Sequence, residues 1–174
     1  LDSNIKETDM PAITRHPRPG APRYLEDFKV GDLTETSGFA VTRDMILSFA
    51  EQYDPQPMHL DETAARDTVF GELVGSGWQT LAVTMRLLLD ARLLGGTPIV
   101  GAELRDIRFH APMRPGDVLR ARAEVIAIRP SKSRPDRGFM DMRVTTTNSE
   151  GVTLVTQRWS LVVPRRPDFQ KVAF

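Results

Sequence analysis

Apolar residues recur at helical spacing between Gly77 and Gly95. The positions expected to share the apolar face are Trp78, Leu81, Ala82, Met85, Leu88, Leu89 and Arg92. The two bounding glycines, with Pro98 beyond them, predict a long helix over residues 77–94. Because apolar residues lie nearly all round this helix, we expect a sheet to wrap it and bury it.

The second half of the chain alternates between apolar and polar residues, as strands with one buried face do. Within residues 117–128 the two faces carry Leu119, Ala121, Ala123, Val125 and Ala127 on one side and Arg120, Arg122 and Glu124 on the other. Residues 139–147 and 152–163 follow, joined by a hairpin-turn sequence at 148–151. Consecutive hairpins predict an antiparallel sheet, and one long helix combined with such a sheet indicates an α+β fold.

Ahead of the long helix, the sequence predicts a strand over residues 33–41 and then a shorter helix. The hydroxyl of Thr42 is placed to cap this helix, and Pro55 ends it. Its expected apolar face consists of Ile46, Phe49, Ala50 and Tyr53.

Composition narrows the class of protein. The 174 residues, 40% hydrophobic and 26% charged, suit one soluble globular domain. With 23 basic and 23 acidic residues the net charge is zero, which argues against nucleic acid or a membrane surface as the main partner. The chain has no cysteine and therefore no disulfide or thiolate metal site. Neither a membrane span nor a secretion signal is evident, so we expect a cytoplasmic location.

The two ends of the chain differ from its middle. Residues 1–23 carry four prolines and no apolar period. We expect this N-terminal arm or linker either to pack on a partner subunit or to be disordered, with His16 solvated. Residues 165–174 predict a C-terminal tail of the same kind. The folded domain is therefore expected over residues 24–164.

The segment 53–59 carries the most informative chemistry. Asp54 and His59 are five residues apart, with Pro55 and Pro57 between them. Each proline fixes its own φ and moves the preceding residue out of the helical region, so we expect an extended, stiff loop that aims both side chains. A rigidly held acid and base is what proton-transfer chemistry requires. Taken alone, the segment fits a helix-ending loop with solvated side chains at least as well.

Gly75, Ser76 and Gly77 open the predicted long helix. The N–H groups of a first helical turn lack intrahelical partners, and glycine lets a ligand approach them. Gly77 is therefore placed to bind a phosphate or to form an oxyanion hole, although a tightly packed helix cap explains the same sequence. A dinucleotide-binding loop is excluded, because Leu81 stands near the place of the third glycine and the following strands are antiparallel.

Other candidate sites are weaker. Asp54, His59 and Asp61 form a poor metal-ligand set, since it holds one histidine and two carboxylates separated by prolines. We expect no metal and no cofactor. Ser76 and Ser131 lack the surroundings of a nucleophilic serine.

Two basic features remain. His110 follows Phe109 on a strand and points into either the core or the cleft, and we expect it to be a satisfied structural histidine. The proline-containing loop at 129–137 carries Arg129, Lys132, Arg134 and Arg137. Such a loop is usually a solvated tip, and it also offers cations for the phosphates of a ligand.

Together these segments resemble the MaoC-like dehydratases of the hot-dog fold, which include the R-specific enoyl-CoA hydratases. Their motif is an aromatic residue, then Asp-x-Asn-Pro-x-His, and a small residue six positions after the histidine. Here Tyr53, Asp54, His59 and Ala65 occupy the corresponding positions. The family's helix-opening glycine corresponds to Gly77.

Further segments extend the resemblance over residues 24–164. Residues 104–109 and 112–117 resemble a strand and a turn found in such domains. The chain departs from the family pattern at Gln56, where Asn is usual, and at Ser76, because many members have a histidine before the glycine.

The resemblance implies a curled antiparallel sheet around one long helix, and a homodimer or a dimer of dimers. It also implies hydration of 2-enoyl-CoA thioesters, or dehydration of 3-hydroxyacyl-CoA thioesters. A water held by an acid and a base would attack C3, while a backbone N–H would bind the thioester oxygen. The implied catalytic residues are Asp54, His59 and Gly77, and the implied substrate-binding residues are Gln56, Ser76 and Arg114.

Two rival functions stay open. A thioesterase of the same fold would need a carboxylate on or near the central helix, and this one offers only Asp90, near its far end. A non-catalytic acyl-thioester-binding subunit is the other alternative, and Gln56 together with the proline-rich arm leaves it open.

Overall fold

A computed structural model describes residues 20–168. A single turn of 3-10 helix, Leu25–Asp27, comes first. The elements that follow are β1 (Leu33–Glu35), β2 (Phe39–Ala40), α1 (Arg43–Tyr53), α2 (Pro57–Leu60), α3 (Glu62–Ala65), α4 (Gly77–Asp90), β3 (Val100–Phe109), β4 (Val118–Pro130), β5 (Arg137–Thr147) and β6 (Thr153–Pro164).

The strands form one antiparallel sheet, as predicted. Its order is β1-β4-β5-β6-β3, and β2 also pairs with β4. The inner face of the sheet packs on α4 and supplies much of the core, including Leu119, Met140, Met142, Val144 and Leu161. The α+β fold, with a sheet curled around one long helix, is thereby confirmed.

The predicted alternation along β4 holds only as far as Val125. A shift in the pairing between Val125 and Ala127 places Ala127 opposite Asp141 and Ile128 opposite Met140. Ile128 therefore packs against the core, and the prediction that Ala127 faces the core is wrong. An extra residue in one strand of a pair turns every later side chain of that strand to the opposite face of the sheet. The hydrophobic pattern of the sequence does not show where such a residue occurs.

The long helix starts at Gly77 as predicted but ends at Asp90 rather than at residue 94. Its buried face consists of Gln79, Thr80, Val83, Thr84, Leu87 and Leu88. The predicted face was wrong, since Trp78 is 69% exposed and Leu89 is 48% exposed. Within the described chain the sheet covers one side of α4. Although apolar residues occur on nearly every side of this helix, they are therefore not all buried.

The region before α4 follows the predicted order with two corrections. The expected strand at 33–41 is divided into β1 and β2, separated at Gly38, where a side chain would lie 2.6 Å from Val118. The hydroxyl of Thr42 caps α1 by accepting the N–H of Met45, as predicted. Tyr53 is 71% exposed and does not belong to the buried face of α1.

The ends of the described chain pack on the domain. The N–H of Arg23 donates to the carbonyl of Leu94, and Arg165 and Arg166 form ion pairs with Glu26 and Asp27 of the 3-10 helix. Most of the predicted arm, with His16, and the last six residues lie outside the described residues, so the domain boundaries stay a prediction. No described helix is long and apolar enough to cross a membrane.

Candidate active site

Two prolines shape the segment that carries Asp54 and His59. Asp54 caps the end of α1, its N–H donating to the carbonyl of Ala50. Pro57 then occupies the first turn of α2, where its fixed φ suits a helix start. His59 thus lies on a one-turn helix, and the prediction of a loop extended throughout is wrong. The segment nevertheless holds the two side chains close together, with Oδ2 of Asp54 3.5 Å from Nε2 of His59.

Backbone and side-chain hydrogen bonds tie α2 to the segment that leads into α4. The N–H of Val74 donates to the carbonyl of Met58, and Nδ1 of His59 lies 2.7 Å from the carbonyl of Val74. A carbonyl only accepts, so Nδ1 carries a proton and Nε2 faces Asp54. His59 is 95% buried by this packing, as its 5% exposure shows. The imidazole is therefore fixed in both position and tautomer.

Asp54 is held as a carboxylate. Its pKa lies below the usual value, chiefly because the hydroxyl of Ser76 stabilises the charged form, with a further contribution from the amide of Gln56. Nε2 of Gln56 donates to Oδ1 of Asp54 at 2.6 Å. The neighbouring His59 lowers the same pKa further. One carboxylate oxygen is thus occupied by Gln56, and the other faces the imidazole.

The start of α4 completes the group. The hydroxyl of Ser76 accepts the N–H of Trp78, and the carbonyl of Ser76 accepts the N–H of Thr80. The N–H of Gly77 has no acceptor among the described residues. A Cβ on Gly77 would lie 2.9 Å from the ring of Phe109, so the close approach of β3 requires glycine here. An unpaired N–H at a helix start attracts a negatively polarised oxygen.

A cavity of about 480 Å³ joins these groups. Five of the six predicted site residues line it, namely Asp54, Gln56, His59, Ser76 and Gly77. Arg114 does not line it, and its Nε donates to Glu72 at 2.6 Å instead. The arrangement brings a carboxylate, an imidazole and an unpaired N–H to one space large enough for a small organic group.

Comparisons with known proteins agree with this geometry. The family profile described as MaoC like domain matches residues 28–149. The chain belongs to this family. A MaoC-like dehydratase from Rhodospirillum rubrum superposes with a TM-score of 0.75 at 43% identity, covering 83% of this chain and 98% of that one. The fold is the hot-dog fold that this family shares.

Two relatives are named for their reactions. The 3-hydroxybutyryl-CoA dehydratase of Methylorubrum extorquens is 30% identical over 86% of this chain and 90% of its own length. The (R)-specific enoyl-CoA hydratase of Rhodospirillum rubrum is 28% identical over 82% of this chain and 93% of its own length. The aligned region thus spans nearly the whole of both relatives.

Sequence reasoning missed the apolar wall of the cavity. That wall includes Met58, Phe70, Trp78, Phe109 and Met113. Trp78 was assigned to the buried face of α4, and the other four carried no periodic signal, because they come from four separate segments. His110 also lines the cavity, with Nε2 2.8 Å from the hydroxyl of Thr156.

The remaining sequence candidates have other partners. Asp61 caps α3 by accepting two backbone N–H groups. Arg129 binds Asp141, and Arg137 pairs with Asp136. Among the described residues, no three potential ligands lie close enough to hold a metal ion.

Proposed function

We propose that this MaoC-like domain adds water to 2-enoyl-CoA thioesters or removes it from 3-hydroxyacyl-CoA thioesters. The observation that carries the proposal is the convergence of Asp54, His59 and the N–H of Gly77 on one cavity. The two relatives named for a dehydratase and a hydratase of acyl-CoA support it. The reaction needs an activated water and a donor for the thioester oxygen, and these three groups supply both.

In the proposed mechanism a water lies between Oδ2 of Asp54 and Nε2 of His59. Asp54 is ionised and accepts a proton from the water as its oxygen attacks C3. The π electrons move toward the thioester oxygen, which the N–H of Gly77 stabilises. The Asp54–His59 pair then returns one proton to C2, and the same groups run the dehydration in reverse. Because Nδ1 is committed to Val74, His59 offers only Nε2 to the water.

The proposed substrate-binding residues surround this centre. Gln56 keeps Asp54 oriented and ionised, and Ser76 stabilises the same charge from the start of α4. Arg114 follows the cavity-lining Met113 and is half-exposed beside Glu72. We propose that its guanidinium contacts the phosphates of CoA, which arginine binds through paired hydrogen bonds.

We further propose that the protein works as a homodimer, or a dimer of two such dimers. Strand β3 lies at one edge of the sheet and, among the described strands, pairs with β6 alone. Its exposed apolar residues include Val100, Leu104, Ile107 and Phe109, of which Phe109 lines the cavity. An uncovered edge strand with apolar side chains favours pairing with another chain. A partner at β3 would therefore also cover part of the cavity mouth.

The test measures the hydration of crotonyl-CoA and of longer enoyl-CoAs. The rate is read from the loss of absorbance of the double bond conjugated with the thioester. Asp54→Asn and His59→Ala should each lower kcat/KM by at least roughly a hundredfold, because each removes half of the proton-transfer pair. Asp67→Asn, an exposed carboxylate of the neighbouring turn, serves as the control and should keep full activity. Wild-type rates in both active-site variants would refute the mechanism.

The two rival functions are outcomes of related measurements. The only carboxylate on α4 is Asp90, which is ion-paired with Arg86 at the end opposite Gly77, so the structure favours hydration over thioester hydrolysis. Release of free CoA thiol from an acyl-CoA would indicate a thioesterase. Tight binding of enoyl-CoA without turnover would indicate a non-catalytic acyl-binding subunit.

A further inference from the structure

Two buried glutamines, Gln79 and Gln157, lie outside the set of residues that line the cavity, and the proposed mechanism uses neither of them. Gln79 is 4% exposed and Gln157 is 2% exposed. Oε1 of Gln79, and both amide atoms of Gln157, have no hydrogen-bond partner among the described residues. Buried polar atoms are nearly always paired in folded proteins, so unpaired ones indicate a missing partner.

Gln79 stands next to the cavity wall. It lies on the buried face of α4, and its Nε2 donates to the carbonyl of Met45 at 2.8 Å. That bond fixes the direction of the amide. Oε1 lies 3.3 Å from the point that a Cβ on Gly75 would occupy, and Gly75 lines the cavity. A free acceptor is therefore held directly behind this glycine.

Gln157 closes a line of polar side chains that starts in the cavity. Thr80 lines the cavity, and Thr84 follows one turn further along α4. The hydroxyl of Thr84 lies 2.7 Å from the hydroxyl of Thr146 on β5. Val144, two residues from Thr146 on the same strand face, is the direct partner of Gln157 on β6. The amide thus lies diagonally beside Thr146 on the inner face of the sheet.

The chemistry of this buried region selects a neutral ligand group. Its buried polar residues are threonines and glutamines, and the one buried carboxylate of the sheet, Asp141, is bound by Arg129 instead. A carboxylate placed beside the glutamines would be a buried charge, and no lysine or arginine is among the buried residues of the described chain, so its burial would be costly. A primary amide both donates and accepts, so it suits a hydroxyl or a carbonyl.

We propose that the acyl group of the substrate carries a hydroxyl or carbonyl substituent remote from the thioester, bound by Gln157, while Gln79 lies nearer the thioester and contributes less. The inference rests on the proposed hydratase function and names the substrate class of that site. Seven residues of α4 separate Gly77 from Thr84, or about 10 Å along the helix axis. The thioester oxygen at Gly77 and the polar group near Thr84 would therefore be joined by an acyl chain of medium length.

The experiment compares pairs of 2-enoyl-CoAs of six, eight and ten carbons, each pair differing only by a terminal hydroxyl. Wild-type protein should favour the hydroxylated member at one length by at least about tenfold in kcat/KM, since loss of a buried hydrogen bond to a substrate is strongly selective. Gln157→Met, which keeps the volume and removes the amide, should reverse that preference. Gln79→Met should weaken it.

The matched control is Gln52→Met, an exposed glutamine on α1, which should leave the ratio of the two substrates unchanged. Hydration without a preference for the hydroxylated chain at any length would overturn the inference alone and would assign ordered water as the partner of both amides. Hydration of no enoyl-CoA would overturn the proposed function as well. If a variant does not fold, the ratio of kcat/KM for the hydroxylated and the plain substrate, measured with the wild-type protein, still tests the inference.

Discussion

Gln56 shows how one side chain sets the charge of another. The family motif usually has Asn at this position, and the extra methylene of Gln56 lets the amide reach back to Asp54 at 2.6 Å. The hydrogen bond stabilises the carboxylate and so lowers the pKa of Asp54, after the larger contribution from Ser76. The departure from the family pattern thus favours the ionised form of Asp54.

We predict that Gln56→Leu moves the acidic limb of the pH profile of kcat/KM to higher pH. In the wild type the pKa of Asp54 is lowered, so the base stays ionised until the pH falls below its usual range. Loss of the amide raises the pKa of Asp54, so protonation removes the base sooner as pH falls. Rates measured from pH 4 to 8 test this, with Gln52→Leu as control. An unmoved limb would mean that Asp54 is not the base.

At the scale of elements, a buried carboxylate joins three strands on the outer face of the sheet. Asp141 of β5 accepts hydrogen bonds from Arg129 of β4 and from Arg105 of β3, and its side chain is 8% exposed. Burial opposes its ionisation, but the hydroxyl of Ser160 and the guanidinium of Arg129 outweigh it and lower the pKa of Asp141. The site also lies beside the pairing shift in β4.

We predict that Asp141→Ala lowers the free energy of unfolding by about 2 kcal/mol at pH 7, since hydrogen bonds to a charged group are lost. The pKa of Asp141 is lower in the folded state, so its stabilisation is complete above the usual value of 3.8 and disappears as the pH falls below it. Urea unfolding at pH 7 and pH 3 should therefore show a difference that shrinks in acid.

The exposed pair Asp136 and Arg137 supplies the control. Asp136→Ala should change the free energy of unfolding much less than Asp141→Ala does, because surface ion pairs contribute little. If both substitutions lowered the free energy of unfolding equally, burial of Asp141 would not be the reason that its hydrogen bonds stabilise the fold.

At the scale of the whole molecule, the uncovered edge strand β3 borders the cavity through Phe109. Several of its apolar side chains are exposed, and among the described strands it pairs on one side only. Of the exposed residues of α4, Trp78 lines the same cavity. One subunit therefore leaves apolar surface uncovered around its own proposed active site, which is the reason to expect a second copy there.

We predict that the wild type is a dimer by light scattering and that Leu104→Glu is a monomer with lower activity. The carboxylate of the new glutamate would lose its water in the apolar contact between subunits and would find no partner there. The association of the two subunits should therefore weaken. Val30→Glu changes an exposed apolar residue away from β3 and should leave the dimer intact. A dimeric Leu104→Glu protein would place the interface elsewhere.

Much of this arrangement was determined by the sequence itself. The start of α1 at Thr42 and of α4 at Gly77 followed from a capping hydroxyl and a glycine, which act within one turn of chain. The hairpin strands followed from alternation and turn residues. The meeting of Asp54 and His59 was also predictable, because two prolines leave the short chain between them few conformations.

Only the tertiary structure decided the rest. Which face of α4 is buried depends on where the sheet curls, and the sheet leaves Trp78 exposed at the cavity. The need for glycine at position 77 comes from Phe109, which is 32 residues away in sequence and arrives with β3. The sequence determined local conformation, because caps, turns and prolines act on neighbouring residues. The cavity walls and the unpaired glutamines arise from contacts between distant segments, which no local pattern encodes.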